Sequence, residues 1–90
     1  MKYRRLKSFH EDLTQLPEEI RNAAKEKFAL FREDPQHPSL RIKKMQGQDQ
    51  IWEGHVTRGY VFTFHYDTDD EGETIVVFRR IGTHSIYTKP

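Results

Sequence analysis

The stretch from Leu40 to Tyr66 constrains the fold of this 90-residue chain more than any other part of its sequence. It reads LRIKKMQGQDQIWEGHVTRGYVFTFHY, and polar and apolar residues alternate along most of its length. Side chains of a β-strand point alternately to opposite faces, so this alternation predicts strands over residues 40–45, 51–57 and 60–66. Arg58-Gly59 predicts the tight turn of a hairpin between the last two strands. We therefore expect consecutive antiparallel strands at the centre of the chain.

The second of these strands has two chemically different faces. Glu53 and His55 fall on one face, whereas Trp52 and Val56 fall on the other. We interpret Trp52 and Val56 as core residues and the carboxylate and imidazole as candidate catalytic groups. The same two polar residues are equally typical of a cross-strand pair on a solvated sheet face, and the sequence leaves both interpretations open.

The residues before this stretch predict a short strand and two helices. Lys2–Lys7 has the lysine-rich composition of an edge strand. Ser8 and Glu11 match a capping box, which predicts a helix from Ser8 to Leu16. A longer helix is predicted to have Pro17 in its first turn and to end near Asp34, with one apolar stripe facing the core. The stripe consists of Ile20, Ala23, Ala24, Phe28 and Phe31.

The C-terminal part predicts a further hairpin strand and a tail. Asp67–Glu73 reads as an acidic hairpin loop, Thr74–Ile81 as a strand rich in β-branched residues, and Gly82–Pro90 as a short tail. Together, the elements predict one α+β domain over residues 1–90, in the order β-α-α followed by three or four strands. We expect the two N-terminal helices to pack on one face of an antiparallel-rich sheet. The other face is expected to be free and to serve as a binding surface.

The composition narrows the class of protein. The chain has no cysteine, so neither a disulfide framework nor a thiolate metal site is available. Its five histidines show no spacing typical of a metal site, and we expect neither a metal nor another cofactor. There is no signal peptide and no apolar run long enough to cross a membrane, which predicts a soluble cytoplasmic protein. The net charge is only +1, but the cations cluster, so one basic face is possible.

Four segments resemble the RelE/ParE superfamily, the toxins of bacterial toxin–antitoxin pairs. They are DPQHPSLRIKKMQG, IWEGHVT, the Gly59-Tyr60 hairpin exit and IGTHSIY. The resemblance covers nearly the whole chain and points to a RelE-like branch that is also similar to HigB and YafQ. It implies a small β-α-α-β-β-β fold, cleavage of messenger RNA on the ribosome and neutralisation by an antitoxin. ParE-like members of the superfamily poison DNA gyrase instead.

The motifs of the superfamily match this chain unevenly. YafQ-like toxins use a histidine just before the central hairpin and another in a C-terminal Gly-Thr-His motif, and His55 and His84 match these two positions. RelE-like members have an arginine directly after the hairpin Gly-Tyr. Val61 occupies that position here, and Arg58 is the nearest cation. The resemblance therefore leaves open whether catalysis is retained.

RNA cleavage without a metal needs a base for the 2′-hydroxyl, an acid for the leaving 5′-oxygen and cations for the charged phosphorane. We assign His84 and His55 as the acid–base candidates, with Glu53 in support. Arg80 and Arg58 are the expected phosphate contacts. The remaining expected contacts are Tyr87 for stacking on a base, and Lys43, Arg41 and Lys44 for wider RNA binding.

The sequence thus predicts a toxin that acts as a ribosome-dependent mRNA endoribonuclease. The expected partners are a cognate antitoxin, in a toxin–antitoxin hetero-oligomer, and messenger RNA on the ribosome. Two alternatives remain open: a ParE-like gyrase inhibitor, and a catalytically weakened member that acts mainly by binding the antitoxin or an operator. The histidine motif and the polar central strand favour the endoribonuclease.

Overall fold

The fold described here comes from a computed structural model that covers residues 1 to 90. It contains two α-helices, five β-strands and two short 3-10 helices, and it confirms the predicted α+β class. No helix combines the length and the apolar character that crossing a bilayer requires. The elements are β1 (Lys2–Arg5), α1 (Lys7–Gln15), α2 (Glu18–Glu33), a 3-10 helix (Pro38–Leu40), β2 (Lys43–Lys44), β3 (Trp52–His55), β4 (Val61–Thr68), β5 (Thr74–Gly82) and a C-terminal 3-10 helix (His84–Thr88).

The five strands form one mixed sheet in the order β1-β5-β4-β3-β2. β1 runs parallel to β5, an arrangement that the long connection through both helices and three strands permits. All other neighbours are antiparallel, and the predicted hairpins β3–β4 and β4–β5 are both present. The antiparallel-rich sheet of the prediction is therefore confirmed, with β1 and β2 at its two edges.

The helices cover one face of the sheet and bury an aromatic core against it. Phe31 of α2 lies with its ring centroid 5.3 Å from that of Phe64 and 5.8 Å from that of Phe78. Phe9 of α1 contacts Phe78 at 5.4 Å, and it is 1% exposed. Burial of each such side chain stabilises the fold by roughly 1.5–3 kcal/mol, and aromatic pairs add about 0.5–1.5 kcal/mol. The predicted apolar stripe of α2 is thus confirmed as the core face.

The capping box predicted at Ser8 is wrong. Helix α1 begins one residue earlier, at Lys7, after Leu6, and no side chain caps it. The reason is pairing with β5: the Leu6 amide donates to the carbonyl oxygen of Phe78 at 2.9 Å, so the chain stays extended through Leu6. Ser8 then lies inside the first turn, and its hydroxyl donates to the carbonyl oxygen of Arg79 at 2.7 Å.

The predicted strand over residues 40–45 is much shorter in the structure, where only Lys43 and Lys44 pair as β2. Leu40 instead ends a 3-10 helix and is fully buried. The side chain of His37 caps this helix by accepting a hydrogen bond from the Ser39 amide at 3.1 Å. Arg41 follows in the left-handed conformation, with φ of 50°, which redirects the chain towards β2.

The second sheet face is not free, contrary to the prediction. Residues 83–90, which we call the C-terminal segment, fold over its β3–β4–β5 portion. Ile86 of this segment is buried, and Thr63 of β4 beneath it has no exposed surface. The Thr63 hydroxyl donates to the main-chain oxygen of Pro90 at 3.0 Å. The tail therefore forms a layer of its own on the side of the sheet that faces away from the helices.

Gly54 gives a test of this packing. A Cβ atom added to Gly54 would lie 2.4 Å from Cζ of the buried Phe62 and 2.6 Å from Cδ1 of Ile42. We expect Gly54→Ala to lower the free energy of unfolding by about 1–3 kcal/mol through overpacking. Gly59→Ala is the matched control, because no heavy atom lies within 4 Å of the added Cβ there, and its effect should stay below about 1 kcal/mol. Urea unfolding of both variants measures the difference, and equal effects would contradict the packing described here.

Candidate functional site

A row of polar residues crosses the sheet on the face away from the helices. Lys43 of β2 pairs with Glu53 of β3, Glu53 with Thr63 of β4, and Thr63 with Arg80 of β5. Directly opposed residues of antiparallel strands project to the same face, so the pairing register itself assembles this row. Val56 lies in the core cluster, and Trp52 packs against it. The division of β3 into a polar face and a packing face is therefore as the alternation predicted.

Glu53 is the most buried acid of the site, with 7% of its surface exposed. The Tyr87 hydroxyl donates to its Oε1 atom at 3.2 Å, and Nζ of Lys43 lies 3.8 Å from the same atom. A buried carboxyl group is costly unless it is paired and hydrogen-bonded, and these two partners satisfy it. Glu53 therefore has a fixed position beneath the C-terminal segment.

Tyr87 connects Glu53 to the histidines. Burial, together with the charge and the hydrogen bond of Glu53, raises the pKa of Tyr87 to about 12. The phenol thus remains a neutral hydrogen-bond donor at neutral pH. Its ring packs edge-on against His84, with centroids 5.4 Å apart. The hydroxyl is engaged with Glu53 rather than pointing into solvent, which the sequence did not indicate.

His55 and His84 lie side by side, as the resemblance implied for an active site. Their ring centroids are 6.2 Å apart, with 65° between the ring planes. Burial, followed by the charge of Arg41, lowers the pKa of His55, while Glu53 acts in the opposite direction and His84 lowers it further. His55 is half-buried and His84 is exposed. A neutral His55 imidazole can accept a proton at neutral pH, and an exposed His84 can reach a bound substrate.

A small cation-lined cavity of about 230 Å³ opens beside His55. Two cations that the sequence predicted, Arg41 and Arg58, line this cavity. Lys27 of α2 is a third cation in the lining. No acidic residue lines it, so its electrostatic character suits an anion of phosphate size. Arg41 stands there in a left-handed conformation that is uncommon for a non-glycine residue and that clusters at functional sites. The other lining residues are Ser39, Val56, Thr57 and His55 itself.

Lys27, Ser39 and Thr57 also line this cavity, and the sequence did not predict them there. Lys27 lies off the apolar stripe of its helix, where periodicity alone makes it look like any solvated charge. Its role becomes visible only when α2 and the turn after β3 are placed side by side. No local signal in the sequence could have identified it.

Arg80 belongs to the polar row but has its side-chain partners elsewhere, and Lys44 lies on the opposite face of the sheet. The Arg80 guanidinium is engaged by Asp12 of α1, with Nε 2.6 Å from Oδ2 and a second nitrogen 3.2 Å from Oδ1. Lys44 pairs with Trp52, which places it on the opposite face of the sheet from Lys43. The structure thus brings together His55, His84, Tyr87, Glu53 and Lys43, with Arg41 and Arg58 beside them, but not Arg80 or Lys44. No grouping of three or more histidine and acidic side chains is arranged to hold a metal ion.

The lowered pKa of His55 predicts a pH dependence of stability. The ordinary histidine pKa is 6.5, and the folded state depresses it, so the unfolded chain binds a proton more readily. The contribution of His55 to stability is therefore complete above about pH 6.5 and is lost as the pH falls through the folded-state pKa. We expect the free energy of unfolding to fall less steeply between about pH 7.5 and 5.5 in His55→Gln than in the wild type.

Chemical denaturation at several pH values measures these slopes, and an NMR titration of the imidazole gives the pKa directly. The pKa of His65 is lowered separately, by burial and then by the charge of Arg79. His65→Gln should therefore also make the free energy of unfolding depend less on pH, independently of His55. A wild-type pH slope in His55→Gln, or a His55 pKa above 6.5, would contradict the described environment.

Comparison with solved structures identifies several toxins of the same architecture. The YoeB/ParE toxin from Agrobacterium tumefaciens aligns with a TM-score of 0.73 and 11% identity, over 93% of this chain and 99% of that chain. A chain of the RelB–RelE antitoxin–toxin complex from Methanococcus jannaschii aligns with a TM-score of 0.71 and 24% identity, over 97% and 99%. YafQ from E. coli strain BL21(DE3) aligns with a TM-score of 0.72 and 16% identity, over 96% of both chains.

These likenesses are structural, since the sequence identities lie between 11% and 24%. No protein-family model matches the chain. No curated protein matches it with significance. The three structures compared above nonetheless come from YoeB/ParE, RelB–RelE and YafQ toxins, and they align with 93% to 97% of this chain. The chain therefore has the fold of the RelE/ParE toxins, as its motifs predicted.

Proposed function

We propose that this protein is the toxin of a toxin–antitoxin pair and acts as a metal-independent endoribonuclease on messenger RNA at the ribosome. The observation that carries the proposal is the cluster of His55, His84, Tyr87 and Glu53 beside a cation-lined cavity. Such a cluster supplies the acid, base and cationic groups that cleavage of an RNA phosphodiester requires. The fold adds support, because the structures that share it are toxins.

In the proposed reaction, His55 is the base and His84 the acid. His55 takes the proton of the 2′-hydroxyl, the 2′-oxygen forms a bond to phosphorus, and the bond from phosphorus to the 5′-oxygen breaks. His84 gives a proton to the departing 5′-oxygen, which leaves a 2′,3′-cyclic phosphate and a 5′-hydroxyl. The lowered pKa of His55 suits a group that starts the reaction unprotonated. Each such group typically contributes about 10²–10⁴-fold to the rate.

The cations of the cavity are the proposed phosphate-binding groups. Arginine binds phosphate through two parallel hydrogen bonds and lysine acts as a point charge, so Arg41, Arg58 and Lys27 together can stabilise the phosphorane. The position where RelE-like toxins have an arginine is Val61, which is fully buried and pairs with His55. The cavity therefore supplies from other elements the charge that is absent from β4.

Glu53 and Tyr87 complete the site in a supporting role. Tyr87 stays neutral and is held by Glu53, so its ring gives a fixed wall beside His84 on which a base can stack. Lys43 extends the basic surface towards the edge of the sheet and contacts the RNA backbone. The acid–base and cationic groups of the site suit RNA cleavage, whereas no feature of the site favours the alternative, inhibition of gyrase.

The proposed antitoxin binds in a groove on the other side of the molecule. The groove lies between β1, α1 and α2 and has a volume of about 1020 Å³. Its partly exposed apolar lining includes Leu6, Leu13 and Phe28, and its lining contains no acid. Six cations line it as well: Arg4, Arg5, Lys7, Arg21, Lys25 and Arg32. An acidic amphipathic segment that folds on binding would cover the apolar lining and pair with these charges.

Replacement of the two histidines tests the nuclease. We expect His84→Ala and His55→Ala each to lower cleavage of ribosome-bound messenger RNA by about 10²–10⁴-fold and to relieve growth inhibition on expression. Thermal unfolding of each variant serves to check that the fold is intact. Full cleavage and full toxicity in both variants would exclude these roles, whereas DNA damage before any translational arrest would indicate a gyrase inhibitor. Unimpaired growth with the wild type would indicate a non-catalytic member.

Lys43 and Lys44 form a matched pair on adjacent positions of β2. Lys43 shares the face of Glu53, whereas Lys44 pairs with Trp52 on the opposite face. We expect Lys43→Ala to weaken RNA binding several-fold, with a shallower dependence on salt, and Lys44→Ala to leave it unchanged. Binding of a short single-stranded RNA at two salt concentrations measures both effects. Equal losses in the two variants would mean that RNA does not follow the proposed face.

Charge reversal in the groove tests the antitoxin surface. Lys25 and Arg32 are exposed on α2 and have no acidic partner within 4.0 Å. We expect the Lys25→Glu, Arg32→Glu double variant to weaken binding of the antitoxin by about tenfold or more, most strongly at low salt. The protein encoded next to this chain is the antitoxin to use. RNA cleavage should be unchanged. Titration calorimetry measures the affinity, with Lys44→Glu as the control, and wild-type affinity in the double variant would rule the groove out.

A further inference from the structure

We infer that a clasp built from Thr63, Arg79, Arg80 and Asp12 positions His84 and Tyr87 by holding the end of the C-terminal segment. The Thr63 hydroxyl and Nε of Arg79 both donate to the main-chain oxygen of Pro90, at 3.0 and 3.1 Å. A terminal nitrogen of Arg80 donates to the main-chain oxygen of Lys89 at 3.0 Å. Three side chains of the sheet thus fix two consecutive residues of the segment.

An irregularity in the sheet makes this arrangement possible. Thr63 pairs with Arg80 but Phe64 pairs with Phe78, so Arg79 is an extra residue in β5. In a regular strand, neighbouring side chains point to opposite faces, and one of the two arginines would point towards the core. A bulge allows both to reach the same side of the sheet. Both Arg79 and Arg80 can therefore contact the C-terminal segment.

Asp12 holds Arg80 in this position from the other side. The Asp12 carboxylate accepts two hydrogen bonds from the guanidinium, at 2.6 and 3.2 Å, and a third from the Ile81 amide at 3.1 Å. Arg80 is thereby fixed between helix α1 and the C-terminal segment. This geometry gives Arg80 a positioning role instead of the phosphate contact that the sequence suggested.

The C-terminal segment depends on these contacts because it has little structure of its own. It forms one 3-10 helix, in which the Ile86 amide donates to the carbonyl oxygen of Thr83 and the Lys89 amide to that of Ile86. Short 3-10 helices have poor hydrogen-bond geometry and little stability in isolation. Ile86 anchors the middle of the segment, with the Cγ2 atom near Gly82. Without the clasp, the residues that follow Tyr87 would be held only by local hydrogen bonds within the segment itself.

The clasp matters for the site because the same segment carries His84 and Tyr87. Tyr87 donates to Glu53, and Glu53 pairs with Thr63 across β3 and β4, so the clasp and the site share one row of the sheet. A displacement of about 1 Å in a catalytic group can lower a rate by about 10²-fold. The catalytic part of this inference rests on the proposed nuclease function, whereas the structural part concerns the order of the segment and can be measured by itself.

Thr63 offers a matched pair of variants. Thr63→Val keeps the shape of a side chain that has no exposed surface but removes the hydroxyl, whereas Thr63→Ser keeps the hydroxyl and removes a methyl group. We expect Thr63→Val to speed amide exchange at Lys89 about tenfold and to lower kcat about tenfold with KM unchanged. Thr63→Ser should stay close to the wild type in both. A packing role alone predicts the reverse order of the two variants.

Arg80→Lys provides a second variant, since an ammonium group cannot bridge Asp12 and Lys89 as the guanidinium does. It should repeat the exchange and kcat effects of Thr63→Val. Wild-type exchange at Lys89 in both variants would overturn the clasp, and faster exchange with unchanged kcat would overturn its positioning role. If the wild type cleaves no RNA, the proposed function fails, and the exchange rates together with the Tyr87–His84 contact seen by NMR still decide whether the clasp holds the segment.

Discussion

The pairing of β4 with β5 is the interaction on which the rest of the structure depends. One face of this hairpin carries Phe62, Phe64 and Phe78, which pack against the helices, and the other face carries Thr63 and Arg80, which hold the C-terminal segment. The two faces are coupled, because the register that buries the phenylalanines also aligns the polar row. A slip by one residue would exchange the faces and destroy both layers at once. The bulge at Arg79 interrupts the alternation of side chains, so that Arg79 and Arg80 can both reach the face covered by the C-terminal segment.

The buried carboxyl group of Glu53 shows how stability and chemistry compete in so small a fold. Removing a carboxylate from water costs several kcal/mol unless its partners compensate. Here a phenol and a lysine do so, and both come from elements that are not adjacent to Glu53 in sequence. A leucine at this position would pack without such partners, but it would leave Tyr87 with no acceptor. The contacts of Glu53 thus fix the position of Tyr87 on the C-terminal segment.

The sequence predicted the parts of this structure that local periodicity controls. The alternation of β3, the two hairpins and the apolar stripe of α2 all follow from residues a few positions apart. The errors share a different cause. Ser8 looked like a cap, but the pairing of Leu6 with Phe78 determined where α1 begins. Alternation made the second sheet face look free, but the C-terminal segment covers it, with the Thr63 hydroxyl donating to the main-chain oxygen of Pro90. In both cases, a long-range contact outweighed a local signal, and no alternation pattern encodes such contacts.

The candidate site is assembled almost entirely from contacts of this long-range kind. Val61 leaves β4 without a cation next to His55, and the charge of the cavity comes instead from α2, the 3-10 turn at Arg41 and the hairpin at Arg58. The second histidine arrives on the C-terminal segment. In this chain, the tail carries His84 and Tyr87 and the hairpin turn carries Arg58, so the integrity of the site depends on the tertiary contacts that hold those parts in place.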